Sequence, residues 1–170
     1  MYISYLQLKV ARYVLNLGVR DIGSLIQTSR TTISKLENNI IKIGEMRLSD
    51  RRNTVLVEFF KKNGVIFPDY NCITFCPFNN IVQRPNSNHS MTRFQLRAAR
   101  TILNKTQDEL ADLLNINSSI ISYAENLPNE AYINPKNVLL ISSLISLFHQ
   151  YKIYFPTDLS ITYKSVDRTL

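Results

Sequence analysis

Shifted by 88 positions, the chain matches itself without a gap. Leu6-Gln7-Leu8-Lys9-Val10-Ala11-Arg12 falls on Phe94-Gln95-Leu96-Arg97-Ala98-Ala99-Arg100, and Leu15-Asn16 on Leu103-Asn104. Ile33-Ser34-Lys35-Leu36-Glu37-Asn38 falls on Ile121-Ser122-Tyr123-Ala124-Glu125-Asn126. Phe67-Pro68 falls on Phe155-Pro156, and Ile73-Thr74-Phe75 on Ile161-Thr162-Tyr163. One offset held over about 70 residues means two copies of one fold, and the period is too long for a solenoid unit. The expected organisation is two small domains, 1–76 and 91–170, joined by a linker at 77–90. That linker is rich in Asn, Ser and Pro, the composition of a connecting segment.

Each copy opens with a helix start signal. Ser4 with Gln7, and Thr92 with Gln95, fit a capping box, in which a hydroxyl and an amide satisfy helix-end N–H groups. Leu8, Ala11 and Leu15 form the inner stripe of the first helix, as Leu96, Ala99 and Leu103 do in the second copy. Lys9, Arg12, Arg97 and Arg100 cluster on an outer side and are candidates either for phosphate contact or for a solvated face. A second helix carries Ile22, Leu25 and Ile26 at buried-stripe spacing, and the small Gly23 suits a close approach of two helices. In copy two, Thr106 with Glu109 predicts another capping box. Farther on, Ser49 is expected to cap a helix carrying Val55, Leu56, Phe59 and Phe60. Asn134-Pro135 is expected to start its counterpart, with Leu139, Leu140, Leu144, Leu147 and Phe148. These apolar residues either close the core or form a seam between domains or subunits. Residues 65–75 and 153–163 alternate around a Pro-led turn and read as β-hairpins. A lone hairpin is marginal, so each must pack on something, the other hairpin or a second chain included.

The stretch Ser29-Arg30-Thr31-Thr32-Ile33-Ser34-Lys35-Leu36-Glu37-Asn38 reads as a short helix. Ile33 and Leu36 can be buried, while Ser29, Arg30, Thr31, Thr32, Ser34 and Lys35 can donate hydrogen bonds from other faces. Helix, short turn, helix is the arrangement in which the second helix enters a DNA major groove. This stretch resembles the second helix of the phage-repressor-type (Cro/XRE) helix-turn-helix family, which shows a Ser-Arg-x-Thr-Ile-Ser-x-Leu/Ile-Glu pattern. Thr106-Gln107-Asp108-Glu109-Leu110-Ala111 resembles the same family's Ser/Thr-Gln-x-x-Leu-Ala signature. The resemblance implies a mainly α fold: tandem helix-turn-helix domains of about five helices, each followed by a short β-hairpin. It implies that Gln107 binds a phosphate or the first base. Copy one departs there, with Val19, and copy two departs in the reading helix, where no basic residue matches Arg30 or Lys35. Asn117, Ser118, Ser119 and Tyr123 are its candidates for DNA contact; Asn117 can pair with adenine and Ile120 can touch a thymine methyl. The alternative is that copy two has lost base reading and serves for packing.

Charge points the same way. The formal net charge is +7, which in a chain of this size favours an anionic partner, nucleic acid before membrane. Residues 1–80 hold eleven Lys and Arg against six Asp and Glu, net +5; residues 81–170 hold nine against seven, net +2. The first copy should feel phosphate more strongly, with Arg47, Arg51 and Arg52 as further backbone-contact candidates.

The remaining signals narrow the function classes. The N-terminus lacks the basic start and apolar run of a signal peptide, and Val138 to Phe148 is too short to span a bilayer. Cys72 and Cys76 read as free thiols of a reducing cytosol, and His89 and His149 as structural or solvated residues. No Gly-rich phosphate loop, nucleophile elbow or metal cluster is present in the sequence, so neither an enzyme nor a cofactor is expected. The expected partner is double-stranded DNA, with self-association through hairpins or last helices open and no membrane. The expected location is cytoplasmic, with the nucleoid. The rival reading is a protein-interaction module that keeps the helix-turn-helix scaffold without reading DNA.

Overall fold

The computed structural model describes residues 2–38, 48–77, 90–133 and 138–164. The chain is mainly helical with one small antiparallel sheet. In copy one, α1 (Tyr5–Val14), α2 (Val19–Leu25), α3 (Arg30–Glu37) and α4 (Asp50–Lys62) lead into β1 (Val65–Ile66) and β2 (Cys72–Phe75). In copy two, α5 (Arg93–Ile102), α6 (Gln107–Leu114), α7 (Ser118–Glu125) and α8 (Val138–Gln150) lead into β3 (Ile153–Tyr154) and β4 (Ser160–Tyr163). Among the described residues each copy thus has four helices rather than about five. Every element in copy two starts 88 residues after its counterpart.

The caps explain where these helices begin. Ser4, Ser29, Ser49, Thr92, Thr106 and Asn117 are all N-caps whose side chains accept a backbone N–H of the first turn. Reciprocal capping boxes form at Ser4–Gln7, Thr92–Gln95 and Thr106–Glu109. Backbone strain repeats as well. Residues with positive φ fall in equivalent pairs: Asn16 and Asn104, Gln27 and Asn115, Gly64 and Lys152. A left-handed residue closes the same helix end twice, which only Gly adopts without cost and Asn tolerates well. Gly64 is held there by packing too, since a Cβ would lie 2.6 Å from the Cys76 carbonyl oxygen.

Gln7 and Gln95 show why the hairpins sit where they do. Each is buried and uses its Oε1 to complete the capping box. The same side chain then ties down its hairpin turn: Gln7 Nε2 donates to the carbonyls of Asp69 (2.6 Å) and Cys72 (3.1 Å), and Gln95 Nε2 to that of Thr157 (2.8 Å). Edge-to-face pairs complete the anchorage, Phe60 on Phe67 at 5.8 Å and Phe148 on Phe155 at 5.9 Å.

The copies are not separate domains on a tether. Strands β2 and β4 pair antiparallel, giving one four-stranded sheet in the order β1-β2-β4-β3. Ile73 pairs with Ile161, its own equivalent, while Cys72 pairs with Thr162 and Thr74 with Ser160. A local two-fold axis therefore passes through the Ile73–Ile161 pair, and both side chains are fully buried. Backbone bonds repeat across it: Phe75 N donates to Leu159 O (2.8 Å) and Tyr163 N to Asn71 O (3.0 Å). Helix α1 packs on α5 about the same axis, and buried apolar residues of both copies form one cluster. The hairpins thus find their partner within the chain. The β2–β4 pairing and the α1–α5 contact join the two copies; residues 78–89 of the expected linker lie outside the described region.

Candidate nucleic-acid interface

Helix α3 is built to be held from behind. Ser29 Oγ accepts from Thr32 N (3.1 Å) and lies 2.9 Å from Thr32 Oγ1. The turn into the helix is tight. Thr28 N donates to Gly23 O (2.8 Å), and a Cβ on Gly23 would stand 2.8 Å from Thr28 O. Copy two has Ala111 at that place and a slightly longer bond, Ile116 N to Ala111 O at 3.0 Å. Ile33 is fully buried and Leu36 packs on the core.

The strongest tether is ionic. Glu37, buried on the last turn of α3, takes both Nε (2.7 Å) and Nη2 (2.7 Å) of Arg12. Arg12 Nη1 donates to Leu17 O (2.8 Å). Burial pulls the pKa of Arg12 down; the hydrogen bond and the charge of Glu37, with Tyr13 beside it, together outweigh burial and hold it above the ordinary arginine value. A bidentate pair of this kind is short and directional. It fixes the rotation of α3 about its axis, so residues on the opposite faces point outward. Arg30, Thr31 and Lys35 are exposed, as is Ser29; Thr32 and Ser34 are half-buried. Arg20 on α2 and Arg51 on α4 are exposed as well.

Several expected phosphate contacts are corrected by this geometry. Arg12 and Arg100 are buried: Arg100 meets Glu125 through Nε (2.5 Å) and Nη2 (2.7 Å) and Lys105 O through Nη1 (2.7 Å). Their donors are spent inside the protein. Lys9 Nζ donates to Asn104 Oδ1 (2.7 Å), and the equivalent Arg97 donates to Asn16 Oδ1, so this pair of cations stitches α1 to α5. Burial leaves Arg97 with a lowered pKa; the charge of Glu125 opposes the lowering and that of Arg100 adds to it. Arg52 caps the end of α2 through the carbonyls of Ile26 (3.0 Å) and Gln27 (3.0 Å). Arg47 lies outside the described residues.

Helix α7 has the same rear and a different front. Ile121 and Glu125 are buried in place of Ile33 and Glu37. Asn117 serves as the cap, accepting from Ser119 N (2.9 Å). Ser119 is exposed and Ser118 half-buried, but the outward face also carries Ile120 and Tyr123, the latter 70% exposed. Gln107, expected at a phosphate or base, turns inward: its Nε2 donates to Glu125 Oε2 (3.0 Å). Val19 stands at that place in copy one and offers no such bond.

Among the described residues no group of three or more metal-ligating side chains gathers, and no helix is long and apolar enough to cross a membrane. Cys72 is buried and Cys76 exposed, both as free thiols. His149 lies against Tyr154, ring centroids 5.3 Å apart. The role of Glu37 was missed by reading the sequence. Its signal was present: Arg12 with Glu37, and Arg100 with Glu125, recur together under the 88-residue shift. Comparison with protein-family models, characterised proteins and solved structures gives no match to the chain.

Proposed function

We propose that this protein is a sequence-specific double-stranded DNA-binding transcriptional regulator that reads the major groove mainly with α3. The observation that carries this reading is the outward set Ser29, Arg30, Thr31 and Lys35 on a helix locked from behind by Ile33 and the Arg12–Glu37 pair. Short donors and an arginine at the N-terminal end of an exposed helix match what base edges and flanking phosphates accept. The α2–turn–α3 and α6–turn–α7 units are then tandem helix-turn-helix motifs of the phage-repressor type. Arg51 remains a backbone-contact candidate of copy one, and the exposed Arg20, not expected from the sequence, joins it. Such a protein works on the chromosome, in the cytoplasm.

The exposed Tyr123 and Ile120 on α7 favour a second role for copy two, as a protein-contacting or packing module rather than an equal reader. The two roles are compatible within one chain. Selection of bound fragments from a random duplex pool tests the proposal. It expects one enriched half-site, at one base position of which Arg30→Ala relaxes the preference. Affinity for random duplex should also fall steeply with salt, because phosphate contacts release counterions. A shallow salt slope with no enriched sequence would leave the protein-interaction reading in its place.

A further inference from the structure

Arg93 opens α5, and its side chain reaches into the other copy. At the end of α1, the carbonyls of Ala11, Arg12 and Tyr13 accept from Leu15, Leu17 and Asn16 of the same copy. The last carbonyl, Val14 O, accepts from Arg93 Nη1 (2.8 Å). A helix end leaves such carbonyls without an intrahelical partner, so here copy two completes a helix of copy one. Arg93 Nη2 reaches Asn16 Oδ1 (3.3 Å), and Arg97 donates to the same oxygen. The remaining bonds hold copy two: Nε donates to Glu125 O (3.0 Å), on the last residue of α7, and Nη1 also donates to Asn129 Oδ1.

Two helix C-termini thus converge on one buried guanidinium, whose charge their dipoles favour. Burial, and then the neighbouring Arg97, lowers its pKa to about 10, so it stays charged at neutral pH. The arrangement runs one way across the two-fold axis. Tyr5 stands at the equivalent place in copy one, and a phenol offers one donor where a guanidinium offers five in a fixed fork. It cannot repeat a grip made with three nitrogens. The corner that Arg93 and Arg97 hold is also where α3 is anchored. Leu17 O accepts from Arg12 Nη1 (2.8 Å), and the rest of that guanidinium clamps Glu37 on α3. Gly18 then opens α2.

We propose that Arg93 is a positioning residue through which copy two holds the α1–α2 corner of copy one, residues 15–18, and with it the placement of α2 and α3. Copy two then has a task that needs no base contact: it braces the reader from within the same chain. The consequence for duplex binding rests on the DNA-reading proposal; the brace itself does not. A recognition surface tolerates little displacement of its supports. Attraction to phosphate depends on how many cations are neutralised rather than on a fixed register with the bases. Loss of the brace therefore weakens binding to a chosen sequence more than binding to random duplex.

The test compares the full wild-type chain with Arg93→Met, which removes every donor of the side chain. Leu144→Ala, at a fully buried position of α8, is the control for a general loss of stability. Without DNA, amide hydrogen exchange is followed at Leu15, Asn16, Leu17 and Gly18, whose N–H groups are all hydrogen-bonded. Relative to the control, Arg93→Met should speed exchange there by about ten-fold or more, as a local opening does. With DNA, Arg93→Met should bind a duplex selected by the wild type about ten-fold or more weaker, while affinity for random duplex changes by less than about two-fold. Arg93→Lys, which keeps the charge between the helix ends, should fall between the two, and it carries the comparison if Arg93→Met does not fold. Exchange at the corner no faster than in Leu144→Ala would overturn the proposal. So would a ratio of selected to random affinity that stays at the wild-type value. A wild type that selects no sequence would overturn the DNA-reading proposal instead, and exchange at the corner would then decide the brace by itself.

Discussion

Helices α3 and α7 occupy equivalent positions and share the two residues that anchor them inward. Each has a buried isoleucine and a buried glutamate clamped by an arginine from the first helix of its copy. Their outward faces have diverged: Arg30, Thr31 and Lys35 on α3 stand against Ser118, Ser119 and Tyr123 on α7. The difference teaches that the scaffold and the recognition surface are separable. The repeat keeps what sets a helix's rotation and depth, and leaves free what meets a partner. It also separates the two halves in charge, with copy one carrying most of the excess of cations.

The largest effects should come from what the helices share. Glu37→Ala and Glu125→Ala each leave a buried guanidinium without its carboxylate, which costs about 3–5 kcal/mol. Urea unfolding should place Glu125→Ala as the worse of the two. Its loss strands Gln107 as well as Arg100, and Arg97 Nε lies 4.0 Å away. Equal losses would mean that the extra partners of Glu125 contribute nothing. Next comes the axis. Ile73→Ala and Ile161→Ala remove fully buried side chains from equivalent, paired positions and should each cost about 2–5 kcal/mol. The two costs should agree closely, and the double substitution should not be additive, because paired residues couple. Unequal, additive losses would break the symmetry on which the comparison rests.

Much of this architecture was legible in the sequence, and the rest was hidden for physical reasons. Caps, stripes and hairpins are local: Ser4 with Gln7, Thr106 with Glu109 and the segment around Pro68 announce themselves within a few residues. Pairing of the hairpins is not local. Nothing in residues 72–75 says whether the partner strand lies in the same chain, and only the register of Ile73 on Ile161 answers it. Buried cations were the other blind spot. Arg12 and Arg100 fall beside exposed positions in the helical pattern, so they read as surface bases, whereas a glutamate 25 residues on had turned them inward. Arg93 is another such cation: it donates to Glu125 O and Val14 O, which lie 32 and 79 residues away in the sequence.

The outward faces give smaller effects. Arg30→Ala should weaken binding to a selected duplex by about 1–3 kcal/mol and relax one base position if the guanidinium reaches guanine. Tyr123→Ala should change duplex affinity little while leaving the fold intact, and a loss matching that of Arg30→Ala would make α7 an equal reader. The last effect lies in pH. Burial raises the Tyr163 pKa to about 12 from its ordinary 10. The phenol is neutral in both folded and unfolded chains below pH 10, so its contribution is fully present there. It is lost as pH rises from 10 toward 12, where the unfolded chain ionises first. Unfolding midpoints of the wild type and Tyr163→Phe, compared from pH 9 upward, should converge across that interval; a constant difference would mean the phenol does not titrate between the states.

The most direct test is a hydroxyl-radical footprint of the full chain on a duplex selected by the wild type. The account predicts protection that disappears with Arg30→Ala and Lys35→Ala combined and persists with Asn117→Ala and Ser119→Ala combined. Protection that survives loss of the α3 cations, or that depends on α7 alone, would contradict it.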